Sequence, residues 1–138
     1  MLTPASPPAQ PRPALVLVEP NTLTAWSLST YLRQWFEVKC TSTVPTARRM
    51  LERSPAAALI VSDELPRRSV EALTRAARLT NPDVRIVVLV TAEHEPRVNV
   101  PGAAHLEKPF SLSALAELLG RSVQNAPPQA VGDSGGTA

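Results

Sequence analysis

Val84-Arg85-Ile86-Val87-Val88-Leu89-Val90 is the most β-branched segment of this chain, and its reading decides the fold. Branched side chains pack well on a pleated surface and favour strand. No polar residue alternates through its second half, so both faces must be covered, as in a parallel sheet held between helices. Two upstream runs repeat the pattern: Ala14-Leu15-Val16-Leu17-Val18 and Ala57-Ala58-Leu59-Ile60-Val61-Ser62. Residues 38–40 supply a short strand between those two, and Leu106 marks a fifth.

The segments between these runs have helical period. Over residues 22–36, Ala25, Leu28, Leu32 and Trp35 recur at three- and four-residue spacing, with Asn21 or Thr22 available as a cap. Trp26 and Tyr31 widen that stripe, and all three aromatics are expected in the core. Residues 46–53 form a short helix with Ala47, Met50 and Leu51 inward. Ser69 is expected to cap a helix with Val70, Leu73 and Ala77 inward, stopped by Asn81-Pro82. Leu112, Leu115, Leu118 and Leu119 form the last helix, which Gly120 ends. Strands alternating with helices predict an α/β fold: a five-stranded parallel sheet with helices on both faces.

The chain of 138 residues is 43% apolar and 19% charged, enough for one domain with a real core. Residues 1–13 and 122–138 are rich in Pro, Ala, Gly and Ser and lack apolar periodicity. They are expected to be disordered tails around a folded unit spanning 14–121. A net charge of +2 does not point to nucleic acid, and the pairs Arg48-Arg49 and Arg67-Arg68 read as solvated surface. No basic-then-apolar leader is visible, and no apolar run approaches the roughly 20 residues that span a bilayer. A cytoplasmic location without membrane contact is the expectation. Cys40 is the only cysteine, which excludes an intrachain disulfide, and its alternation with Val38 predicts a small buried hydrophobe.

The polar residues gather where the strands end. Glu19 follows the first strand, Ser62-Asp63-Glu64 the third, Thr91-Ala92 the fourth and Lys108-Pro109-Phe110 the fifth. In a parallel sheet these ends share one edge, where open α/β sheets place their ligands. Carboxylates there can hold a divalent cation or accept a phosphoryl group, whose oxygens a lysine and a threonine would neutralise. Neither G-x-G-x-x-G, G-x-x-x-x-G-K-[ST] nor a Gly-x-Ser-x-Gly elbow occurs, which argues against a nucleotide-binding or hydrolytic α/β domain.

This constellation resembles the receiver domain of response regulators, over essentially all of residues 14–121. The resemblance rests on acidic Glu19 after an apolar strand, Leu59-Ile60-Val61 leading to Asp63 with Pro66 beyond, Thr91-Ala92, Gly102-Ala103 and Lys108-Pro109-Phe110. It implies a flavodoxin-like sheet that takes phosphate from a histidine kinase. It further implies Asp63 as phosphoacceptor, Glu19 and Asp63 as ligands to Mg²⁺, Thr91 and Lys108 as phosphate-sensing groups, and His105 at the switch position, where an aromatic is usual.

Four departures accompany the resemblance. Pro20 stands where a second acid is usual, removing an oxygen that Mg²⁺ would use, so any Mg²⁺ site is weakened. Counting back from Pro66 places Ser62 at the acceptor position, whereas counting from the acid selects Asp63; a one-residue shift along a strand reverses the side chain. The usual glycine is missing from Pro66-Arg67-Arg68-Ser69. Only 16 residues separate Thr91 from Lys108, and Pro96 and Pro101 lie among them, so the fourth helix is shortened or missing. The expectation is a degenerate, non-enzymatic receiver in bacterial signalling. It would act through contacts with a signalling protein, such as a histidine kinase, without depending on phosphorylation. The alternative is a working phosphoacceptor on Asp63. The sequence leaves the oligomeric state open.

Overall fold

The computed structural model describes residues 12–91 and 100–120. Five strands form one parallel sheet: β1 (Ala14–Val18), β2 (Glu37–Thr41), β3 (Ala58–Ser62), β4 (Arg85–Thr91) and β5 (Ala104–Lys108), in the order β2-β1-β3-β4-β5. Four helices accompany them: α1 (Thr22–Leu32), α2 (Val44–Arg53), α3 (Arg67–Thr80) and α4 (Leu112–Leu118). The shortened or missing fourth helix of the sequence reading falls largely on residues 92–99, outside the described residues, as do both tails apart from Arg12 and Pro13. Pro13 adjoins the sheet, its carbonyl accepting from the Glu37 N–H at 2.9 Å.

Strand alternation builds two cores, one on each face. Val16, Val18, Leu59, Val61, Ile86 and Val88 pack under α2 and α3, against Ala47, Leu51, Val70 and Leu73. Leu15, Leu17, Ile60, Val87 and Leu89 pack under α1 and α4, against Leu28, Leu32 and Leu115. The three inner strands are apolar along their middles, with polar residues only at the ends of β3 and β4, because each faces helices on both sides. The outer strands β2 and β5 have no fully buried position; each mixes half-buried and exposed residues.

Local chemistry corrects several sequence expectations. Helix α2 begins two residues earlier than its apolar pattern, because Pro45 lies in the first turn, where its missing N–H costs nothing. Ser69 does not cap α3, which opens at Arg67 behind Pro66; the Ser69 N–H instead bonds the Pro66 carbonyl at 2.9 Å within the first turn. Trp26 is 65% exposed, because α1 turns Ala25, Leu28, Ser29 and Leu32 to the sheet and the adjacent position faces outward. Tyr31 and Trp35 are half-buried and meet edge to face, ring centres 5.4 Å apart. Cys40 is exposed rather than buried, since β2 lies at the sheet edge. Partial cover still pushes its thiol up, opposed by a hydrogen bond from Ser29 and the charge of Arg33. The start of α1 follows the sequence, Asn21 accepting the Thr24 N–H, but the helix ends at Leu32 and not at residue 36, with Arg33 as its C-cap and Trp35 beyond it. At α4, Ser111 accepts the Ala114 N–H, and Gly120 takes φ +78° just beyond the helix. Among the described residues no helix is long and apolar enough to cross a membrane.

Truncating a doubly covered strand should therefore cost far more than truncating the outer face of α1. Urea denaturation of Leu59→Ala should show a loss of about 2–5 kcal/mol. Trp26→Ser should change stability by no more than about 0.5 kcal/mol.

Candidate functional site

The chain leaves β1 at Glu19 and turns through Pro20 into α1. The Glu19 side chain is 0% exposed, so its carboxylate needs partners within the fold. Its Oε2 accepts the Asn21 N–H at 3.0 Å, which fixes the turn, and its Oε1 accepts from Lys108 Nζ at 3.0 Å. Lys108 reaches this point because it ends β5, paired in register with Thr91 at the end of β4. The Lys108–Pro109 peptide beyond it is cis.

Beyond β3 the backbone turns tightly. The Ser62 hydroxyl oxygen accepts the Glu64 N–H at 3.1 Å, and the Ser62 carbonyl accepts the Leu65 N–H at 3.2 Å. Asp63 is buried, and its own N–H continues the ladder to the Leu89 carbonyl at 2.9 Å. Its carboxylate accepts the Thr91 N–H at 3.2 and 3.3 Å and the Thr91 hydroxyl at 3.1 Å.

Glu64 completes the cluster, a role its place in the sequence did not reveal. Its Oε2 lies 3.3 Å from Lys108 Nζ and 3.5 Å from Thr91 Oγ1. The side chain is 40% exposed, so it covers the site from the solvent side. The only available signal was that two acids follow β3 rather than one. Lys108 thus bridges two carboxylates, one buried and one at the surface.

Glu19, Asp63, Thr91 and Lys108 therefore converge with Glu64 at the C-terminal edge of the sheet. Ser62 is fully buried, two residues beyond Ile60 on the α1/α4 face, and its hydroxyl holds the turn. His105 lies three residues before Lys108, on the opposite face of β5, where its Nε2 accepts the Val100 N–H at 3.3 Å. Beside the lysine, α1 and the β5–α4 connection border a groove of about 550 Å³, lined among others by Leu23, Thr24, Thr91, Lys108 and Phe110.

Mg²⁺ fits these residues poorly. It demands nearly octahedral oxygen ligation, yet both Glu19 oxygens already accept hydrogen bonds, one from a cation, and Pro20 has no side-chain oxygen. Among the described residues no group of three or more His, Cys, Asp or Glu is arranged to hold a metal ion.

No protein-family model matches the sequence, and no curated protein does. Solved structures do match by fold. A response regulator receiver protein from Sinorhizobium medicae superposes with a TM-score of 0.66 at 21% identity, over 79% of this chain and 95% of that one. The receiver domain of a sensor histidine kinase from Pseudomonas aeruginosa, which holds a magnesium ion in its active-site cleft, gives 0.64 at 22% identity, over 78% and 94%. A response regulator from Burkholderia pseudomallei with a phosphorylated aspartic acid gives 0.62 at 20% identity, over 78% and 66%. The chain has the flavodoxin-like receiver fold of two-component response regulators.

Removing the ammonium should strand the Glu19 charge. Lys108→Met is expected to lower unfolding free energy by about 3 kcal/mol, because breaking a buried pair leaves an uncompensated ion. Adding Glu19→Gln to that variant should recover part of the loss in a double-mutant cycle read by urea denaturation.

Proposed function

We propose that this chain is a receiver-type signalling domain that acts through protein contacts and does not depend on phosphorylation. The observation that carries this reading is the position of Glu64. Its carboxylate supplies an anionic oxygen to Lys108 and lies beside the Thr91 hydroxyl, the two groups that the receiver resemblance assigns to a phosphoryl group. A carboxylate on the chain thus occupies the electrostatic role that phosphate would take. Lys108 is held between Glu64 and Glu19, and the Thr91 proton is directed at Asp63.

The remaining roles follow from the same arrangement. Asp63 stands as the former acceptor, a buried acid whose carboxylate ties β3 to β4. Glu19 stands as the former metal ligand, with the ammonium where a divalent cation would compete. Ser62 is a turn residue, not an acceptor. His105, at the switch position, pins the turn before β5 instead of moving an aromatic ring. The folded unit would be 14–121, working in the cytoplasm on a protein partner, with no reaction of its own.

A second reading keeps Asp63 as a working acceptor. The 3.1 Å bond from the Thr91 hydroxyl supports it, as does the phosphorylated aspartic acid of the Burkholderia pseudomallei neighbour. In that case a carboxylate oxygen of Asp63 would take the phosphoryl group from a kinase histidine, forming an acyl phosphate, and the imidazole would leave.

Incubation with acetyl phosphate and Mg²⁺ separates the two readings. The intact mass should stay unchanged, and amide spectra should show no shifts at Thr91 or Lys108. An adduct of about 80 Da, the mass of a phosphoryl group, that disappears in Asp63→Asn would overturn the leading reading in favour of the second. Glu64→Ala should also move the Thr91 and Lys108 resonances in the absence of any phosphodonor, because it removes their resident anion.

A further inference from the structure

Charge is segregated between the two helical layers. Helices α2 and α3, which pack side by side on one face of the sheet, carry seven arginines against Glu52 and Glu71. Helices α1 and α4, on the other face, carry a single charged residue, Glu117. The small net charge of the chain conceals this division. All seven cations are arginines, whose planar guanidinium matches carboxylates with two parallel bonds.

The basic layer also contains an apolar recess. A groove of about 370 Å³ runs between α3 and the turn that leads into β5, bordered by Glu71, Arg75, Arg78, Leu79, Val100 and Pro101. Leu79 is 79% exposed, one of three large hydrophobic side chains left in solvent among the described residues. The far wall is a built turn. Val100 is buried, its N–H bonds His105, its carbonyl accepts from Ala103, and Gly102 adopts φ +80°. Arg78 Nη2 bonds the Pro101 carbonyl and packs against Gly102, which anchors that wall to α3.

We infer that the α3 face, from Arg75 to Pro101, is a docking groove for an acidic protein segment that presents an apolar side chain between carboxylates. Charge complementarity selects an acidic partner, and the recess with Leu79 selects one with an apolar anchor. A nucleic-acid backbone would use the arginines but leave Leu79 and the recess without a partner. A lipid surface would require an apolar helix face, and the apolar faces of α2 and α3 are spent on the core. The inference names the partner chemistry for the protein contacts proposed above, but it does not rest on what happens at Asp63. The groove and the phosphate-like cluster are formed by different side chains, so each can fail alone.

The test uses a fluorescein-labelled peptide of glutamates flanking a leucine–phenylalanine pair, titrated into the full chain with no phosphodonor present. Saturable anisotropy is expected, with amide shifts confined to α3 and Val100–Gly102, and weaker binding as salt rises. Arg75→Glu and Leu79→Ser, both at exposed positions, should each weaken binding about tenfold, in line with loss of a central interface contact. The inference is overturned if the peptide does not bind, if a leucine-free polyglutamate binds equally well, or if shifts appear elsewhere. Tighter binding of a DNA duplex or of phosphatidylserine vesicles at this face would likewise replace it with nucleic acid or membrane as the partner.

Discussion

A carboxylate with no access to water is the constraint on which this site depends. Burying an isolated charge is prohibitively costly, so Glu19 must be met by donors from within the fold. It receives one from the turn it begins and one from Lys108, 89 residues further along the chain. That pair connects the end of β1 to the end of β5 across two intervening strands. It also determines where the ammonium stands, and therefore which second carboxylate the lysine can reach. Glu64 on the solvent side and Asp63 beneath it, bonded to Thr91, complete a cluster of three carboxylates gathered around one ammonium.

How much of this was legible depended on whether a side chain's surroundings are dictated by its neighbours in sequence. The inner strands β1, β3 and β4 were readable because cover on both faces forces an unbroken apolar run. The edge strand β5, Ala-His-Leu-Glu-Lys, betrayed itself only through Leu106, since one side of an edge strand faces solvent. Trp26 was misjudged because hydrophobicity speaks for burial, whereas the phase of α1 sets direction, and the inward stripe was already filled by Ala25, Leu28 and Leu32. Cys40 failed for a related reason. Alternation with Val38 suggested a covered face, but strand order places β2 where one flank has no neighbour.

The site was legible as residue types and not as partners. Convergence of Glu19, Asp63, Thr91 and Lys108 follows from parallel strand order alone. Which carboxylate the lysine contacts depends on the turn after β3, where the Ser62 hydroxyl draws the Glu64 backbone inward. Motif spacing did not show that the Ser62 hydroxyl would be spent on this turn while the Asp63 carboxylate meets Thr91. The sequence reading treated the arginine pairs as solvated surface; only the packing of α2 beside α3 gathers them into one layer.

The two outer strands have a further consequence. Among the described residues β2 and β5 are the outermost strands, and open backbone donors and acceptors on such a strand are the usual route by which folded proteins stack into fibrils or recruit foreign strands. Here each flank is five residues long and carries Glu37 and Lys39 on one side, Glu107 and Lys108 on the other. Short length and alternating charge discourage a further strand from adding. Lateral growth is disfavoured along both strands, which leaves the helical layers as the better surfaces for contact with other molecules.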